Sequence, residues 1–163
     1  MNRFLAFFLL TLSSLSYVCG QTAYQIELLD INGNTVNIDA IKGEKFTVLD
    51  FWATWCRPCI NSIPELVKLS DKFQEKGVQF IGINADSPRN RSKVKPFASS
   101  IGINYPVLLD FDQQLQSDFF IDGFPTLLVL DGKGKVLFTH VGFIQGDEKT
   151  IEDAINNLLK KKL

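Results

Sequence analysis

Cys56 and Cys59, with Arg57 and Pro58 between them, are the residues of this 163-residue chain best suited to chemistry. A thiol attacks a disulfide only as its thiolate. The first turn of a helix offers unpaired N–H groups and about half a unit of positive charge, which stabilise a thiolate. Cys56 falls where a buried strand gives way to a helix. Cys59 lies within the same turn and can attack a mixed disulfide formed at Cys56. Pro58 suits a first helical turn, where its missing N–H would be unpaired anyway. Arg57 places a cation beside Cys56, which should lower its pKa and make the pair more oxidising.

The competing reading of a lone C-x-x-C is half of a zinc site. Structural zinc takes four ligands. Without the leader segment that carries Cys19, the chain has one histidine, His140, and no further cysteine, so a complete site would need a second chain. His140 reads as an ordinary strand residue rather than a base.

The elements around the motif follow from hydrophobic patterning. Tyr24 to Leu29 and Thr35 to Ile38 read as two short strands about the turn Asn32-Gly33-Asn34. Phe46 to Phe51 is an apolar run expected to be a strand buried on both faces. The motif opens a helix running to about Lys76, with Ile60, Ile63, Val67 and Ser70 on one stripe, Leu66 and Phe73 beside it, a kink expected at Pro64 and a stop at Gly77. Val78 to Asn84 is the next strand, followed by a polar loop from Asp86 to Asn90. A helix within Ser92 to Ser100, a strand at Tyr105 to Leu109 and a short helix at Gln113 to Phe120 come next. A hairpin pairs Thr126 to Leu130 with Val136 to Val141. An amphipathic helix carrying Ile151, Ala154, Ile155, Leu158 and Leu159 closes the chain. The pattern predicts an α/β domain with a mixed central sheet covered by helices.

The first twenty residues read as a secretory signal peptide: Arg3, an apolar stretch from Phe4 to Leu12, then Val18-Cys19-Gly20 before Gln21. Cleavage is expected after Gly20, with Ser16 as the alternative. The apolar run is shorter than the roughly 20 residues that span a bilayer. Cys19 offers an alternative lipid-attachment reading, but Val18 before it is not the usual small residue. Cleavage leaves residues 21–163 as one domain with 16 basic and 18 acidic residues and only Cys56 and Cys59. Two cysteines this close enclose too small a loop to staple such a domain, so a working pair is favoured. The full chain's net charge of -1 gives no field for nucleic acid. Lys160, Lys161 and Lys162 end the last helix, where positive charge suits the macrodipole.

Phe51-Trp52-Ala53-Thr54-Trp55-Cys56-Arg57-Pro58-Cys59 resembles the active-site signature of the thioredoxin superfamily. Gly123-Phe124-Pro125-Thr126 resembles its second signature, in which the proline is cis. The N-terminal hairpin, and the extra helix and strand between Asp86 and Leu109, resemble the exported TlpA/ResA branch. The resemblance covers Tyr24 to Leu159 and implies a thioredoxin fold with an N-terminal β-hairpin and a helix–strand insertion in the sheet. It implies a redox-active Cys56–Cys59 disulfide, with Cys56 attacking and Cys59 resolving. Pro125 matches the cis proline that exposes the Phe124 backbone to an extended substrate; read alone, it would be a trans proline ending a helix. Asp50 matches the buried acid that moves a proton at the resolving cysteine, and burial in an apolar run should raise its pKa. The competing reading is an aspartate bonding a turn. Trp55, Arg57 and Pro58 border the substrate, while Trp52 packs beside the site. Ser62 stands where many ResA-like chains carry glutamate, and Asp50 where they often carry asparagine, which puts cytochrome c maturation in doubt.

Four functions follow as expectations. One is a periplasmic reductase of disulfides in exported clients, fed by a membrane thiol donor that the resemblance implies. Its reverse is a disulfide-forming oxidase. A thiol peroxidase would need a proline and threonine cradle, yet no proline occurs between Gln21 and Cys56. A non-catalytic binding module would not need both cysteines. The reading calls for no cofactor or metal and expects a monomer.

Overall fold

The computed structural model describes residues 23–161. The signal-peptide, cleavage and Cys19 expectations, and Lys162, lie outside them. A seven-stranded mixed sheet forms the centre, in the order β2-β1-β5-β4-β3-β6-β7. Its strands are β1 (Glu27–Asp30), β2 (Thr35–Asn37), β3 (Phe46–Trp52), β4 (Val78–Asn84), β5 (Val107–Leu109), β6 (Thr126–Asp131) and β7 (Val136–Val141). The helices are α1 (Ile38–Ile41), α2 (Arg57–Gln74), α3 (Arg91–Ser100), α4 (Gln114–Asp118) and α5 (Asp147–Lys161). The chain thus has the thioredoxin fold with hairpin and insertion.

β3 is buried at all seven positions. It pairs in parallel with β4 and antiparallel with β6, so both its edges are covered as well. Its even-numbered residues face α2, α3 and α5, joining clusters with Leu66, Phe73, Val94, Ala98, Ile151 and Ile155. Leu49 and Phe51 face the other way, toward Ile38 of α1 and Leu115 of α4. The insertion α3–β5 does structural work on both sides. β5 joins β4 in parallel and receives β1 antiparallel, so the hairpin hangs on the inserted strand.

Local departures from the sequence reading have physical causes. Tyr24 precedes the first strand in a short 3-10 turn, Ala23–Gln25, because its hydroxyl reaches Thr47 Oγ1 at 3.0 Å and the Asp131 carbonyl at 2.6 Å. Ile38 leaves β2 to open α1, whose N-cap is Asn37. β5 begins at Val107, since Pro106 has no N–H for a ladder. α2 continues past Pro64; its buried side holds the expected Ile63, Leu66, Ser70 and Phe73 and adds Ser62 and Leu69, while Ile60 and Val67 are half-buried.

α4 is shorter than its pattern suggests. The Asp110 carboxylate accepts from the Leu115 and Gln116 amides and starts the helix. At its other end Phe120 N–H donates to Ser117 O and Ile121 N–H to Gln116 O. This is the paired termination in which the residue after the cap turns left-handed, a position usually held by glycine. Here it is Phe120, at φ 53°. A side chain in that conformation costs roughly 1–2 kcal/mol.

Candidate active site

β3 ends at Trp52, and Ala53-Thr54-Trp55 carries the chain over to α2. Asp86 holds this turn. Its carboxylate accepts the Thr54 amide at 2.8 Å and the Thr54 hydroxyl at 2.7 Å. Asn84 Nδ2 donates to the same carboxylate at 2.9 Å. The sequence marks Asp86 only as the start of a polar loop; it is 1% exposed. Its pairing with Thr54 spans 32 residues and has no local signal, although an acid directly after an apolar strand is a cue worth weighing.

Cys56 is the N-cap of α2, and Pro58 lies in the first turn. The Cys59 amide donates to Cys56 Sγ at 3.2 Å, so the helix start is aimed at that sulfur. Cys56 and Cys59 form a disulfide, with Cα atoms 5.3 Å apart. Cys59 is fully buried and Cys56 nearly so, while Arg57 and Pro58 are exposed. Trp55 is 64% exposed and meets the Phe124 ring edge-on at 5.8 Å.

The Phe124–Pro125 bond is cis. Pro125 O accepts from the Gly142 amide at 2.8 Å, and Thr126 Oγ1 donates to Gly123 O at 2.7 Å. Among the described residues the Phe124 amide and carbonyl have no hydrogen-bond partner. The Trp55–Phe124 contact brings this free backbone to the cysteine turn.

Asp50 lies in β3 opposite Gly82 of β4 and Leu127 of β6. It shares a sheet face with Trp52, two residues on, which belongs to the same packed cluster as Cys59 and Ile63. Tyr105 Oη donates to Asp50 Oδ2 at 3.0 Å. Asp50 Oδ1 and Trp52 Nε1 are buried without a partner. Burial pushes the Asp50 carboxyl up from 3.8 to about 7, with the Tyr105 hydrogen bond pulling the other way. Burial, reinforced by Asp50, also holds the Tyr105 phenol well above its ordinary value, so it serves as a neutral donor. A Cβ at Gly82 would stand 3.0 Å from Trp52 Nε1 and 3.2 Å from Tyr105 Cε2, which explains the absence of a side chain there.

Tyr105 was expected only to begin a strand. It instead precedes β5 and reaches across the sheet to the acid, a role that a separation of 55 residues conceals. Trp52 stacks on Phe97 of α3 at 6.1 Å, so the insertion walls the site. His140 lies outside it, with Nε2 3.1 Å from Asp147 Oδ2. Among the described residues no group of three His, Cys, Asp or Glu side chains gathers in a way that could hold a metal.

The AhpC/TSA family model matches residues 19–139. The thiol-disulfide oxidoreductase ResA of Bacillus thuringiensis strain Al Hakam is 32% identical over 123 residues, covering 76% of this chain and 69% of the relative. ResA of Bacillus subtilis strain 168 is 31% identical over 137 residues, covering 84% and 74%. A putative thiol:disulfide interchange protein DsbE from Chlorobium tepidum superposes with a TM-score of 0.75 at 31% identity, covering 86% of this chain and 96% of that one. A thioredoxin-like protein from Porphyromonas gingivalis gives 0.71 at 29% identity, with 86% and 95% covered. With a C-x-x-C disulfide at the start of α2 and these relatives, the chain belongs to the AhpC/TSA family and is a thiol–disulfide oxidoreductase of thioredoxin fold.

Proposed function

We propose that this enzyme is exported and reduces disulfides in envelope proteins; Ser62 and Asp50, which depart from the ResA-like pattern, weigh against restricting its clients to cytochrome c precursors. The observation that carries the exchange chemistry is the placement of Cys56 Sγ at the α2 N-cap, where it receives the Cys59 N–H. In the reduced enzyme that placement favours the Cys56 thiolate. The thiolate attacks one client sulfur, forming a mixed disulfide and expelling the other sulfur as a thiolate that takes up a proton. Cys59 then loses its proton and attacks Cys56 Sγ. The client's second sulfur leaves and is protonated in turn. The client gains two electrons and two protons, and the enzyme is left as the Cys56–Cys59 disulfide. A dithiol donor, in the membrane by family likeness, returns the pair to its reduced form.

Asp50 is the acceptor of the Cys59 proton in this reading, supported by its burial on the α2 side of β3 and its raised pKa. Trp55, Arg57 and Pro58 border the client, and the free Phe124 backbone beside Pro125 receives it as an added strand. Export rests on the leader pattern over residues 1–20, and no helix among the described residues is long and apolar enough to cross a membrane. The exposed cation at Arg57 favours a second direction, oxidation. Redox equilibration with glutathione separates the two, because about 30 mV corresponds to 1.4 kcal/mol for this couple.

The test is trapping. Cys59→Ala expressed in the native cell envelope should accumulate client proteins disulfide-linked to Cys56 and released by reductant. A folded variant that traps nothing overturns the proposal.

A further inference from the structure

We propose that Phe120 is a specificity-determining contact for the client, directing the enzyme to disulfides whose cysteine is flanked by apolar residues. The inference rests on the exchange reading and names the substrate class of that same site.

Phe120 occupies a backbone position suited to glycine, the left-handed residue that terminates α4. A bulky residue at positive φ is a genuine outlier that calls for an explanation. Packing does not provide one. Its neighbours Phe119 and Ile121 pack against the core, whereas Phe120 is 86% exposed. The fold would therefore lose little with glycine there. The aromatic ring stands where its backbone conformation weakens the molecule and where most of its surface meets solvent.

Its location supplies the occupant. α4 follows β5 and leads into β6, so Phe120 lies at the end of the sheet that carries the disulfide. Four residues separate it from Pro125, and Phe124 among them touches Trp55. On the other side of Pro125, the Gly142 amide binds its carbonyl and brings in Val141, 67% exposed, and Ile144, 74% exposed. Trp55, Phe120, Val141 and Ile144 are four of the large exposed hydrophobic residues among the described residues. The unpaired Phe124 amide and carbonyl lie between Phe120 and Pro125 in the chain, and the Phe124 ring touches Trp55. An extended client hydrogen-bonded there projects side chains to both sides of its reacting cysteine, and apolar ones find aromatic partners.

The experiment uses the pre-reduced enzyme and three disulfides. One is a peptide with leucine and phenylalanine flanking its cysteines, the second the same peptide with serines, and the third glutathione disulfide. The parent should favour the apolar peptide over the polar one about tenfold in kcat/KM, equivalent to about 1.4 kcal/mol. Phe120→Gly should remove that preference, leave the glutathione rate within about twofold, and melt no lower than the parent. Phe120→Leu should keep part of the preference. A preference that survives Phe120→Gly, a proportional loss with all three substrates, or a lower melting temperature for Phe120→Gly overturns the assignment. No exchange by the parent with any of the three overturns the exchange reading itself, and this inference with it.

Discussion

Replacing Asp50 by asparagine should change how the stability of the oxidised enzyme depends on pH. Asparagine keeps the shape and an oxygen for the Tyr105 hydroxyl but cannot ionise. The parent carboxyl titrates at about 7 in the folded protein against 3.8 ordinarily. Below pH 3.8 the group is protonated in folded and unfolded chains alike, and its contribution is fully present. Between about 4 and 7 the unfolded chain ionises while the folded one holds its proton, so stability falls as pH rises. Above about 7 the loss levels off. At 1.36 kcal/mol per pH unit, the interval corresponds to about 4 kcal/mol. Asp50→Asn carries no such term. Its stability relative to the parent should therefore rise by about 4 kcal/mol between pH 3.5 and 8, which is roughly 10 °C in melting temperature. Urea unfolding of both oxidised proteins across that range measures it. Referring each protein to its own value at pH 3.5 cancels the pH-independent cost of the amide. Parallel stability curves would show that Asp50 does not occupy this environment.

The same substitution should slow the attack of Cys59 on the mixed disulfide and flatten its pH dependence, read by single-turnover reduction of a peptide disulfide; an unchanged profile removes Asp50 from proton transfer. Tyr105→Phe withdraws the hydrogen bond that favours the carboxylate, so the resolution profile should move to higher pH, at a stability cost of about 1–3 kcal/mol for the acceptor left unpaired. Asp86→Ala strips the Thr54 amide and hydroxyl of their acceptor and should cost about 1–3 kcal/mol, with slower exchange at Cys56 detectable by alkylation rate. Gly82→Ala places a methyl group against Trp52 and Tyr105 and should destabilise by about 1–3 kcal/mol; an unaltered denaturant midpoint would contradict the packing described.

The regular elements were legible because their signals are local. The continuous apolar run of β3, the helical stripe of α2 and the glycine-bearing hairpin turn between β6 and β7 each lie within one window of sequence. Cys56, Cys59, Asp50 and Pro125 could be singled out for the same reason, since each sits in or beside a short recognisable pattern. What stayed hidden depends on the packed structure. Nothing near Tyr105 indicates that its hydroxyl crosses to β3, and nothing near Asp86 marks it as the brace for a turn 32 residues earlier. Tyr24 looked like a strand residue because aromatic residues favour strands, yet two partners from β3 and β6 draw it out of β1. Phe120 read as the end of a helical pattern; its exposure and left-handed backbone emerge only once Phe119 and Ile121 have taken the core positions.

The acid and both thiols lie within ten residues of one another in the chain, but the hydroxyl that biases the acid comes from the inserted segment. The two stretches can therefore drift separately. A substitution at position 105 resets the proton affinity of Asp50 without touching the C-x-x-C signature or the proline loop. Chains on this scaffold with the same four motif residues can differ in the pH at which they work, and the inserted segment records the difference.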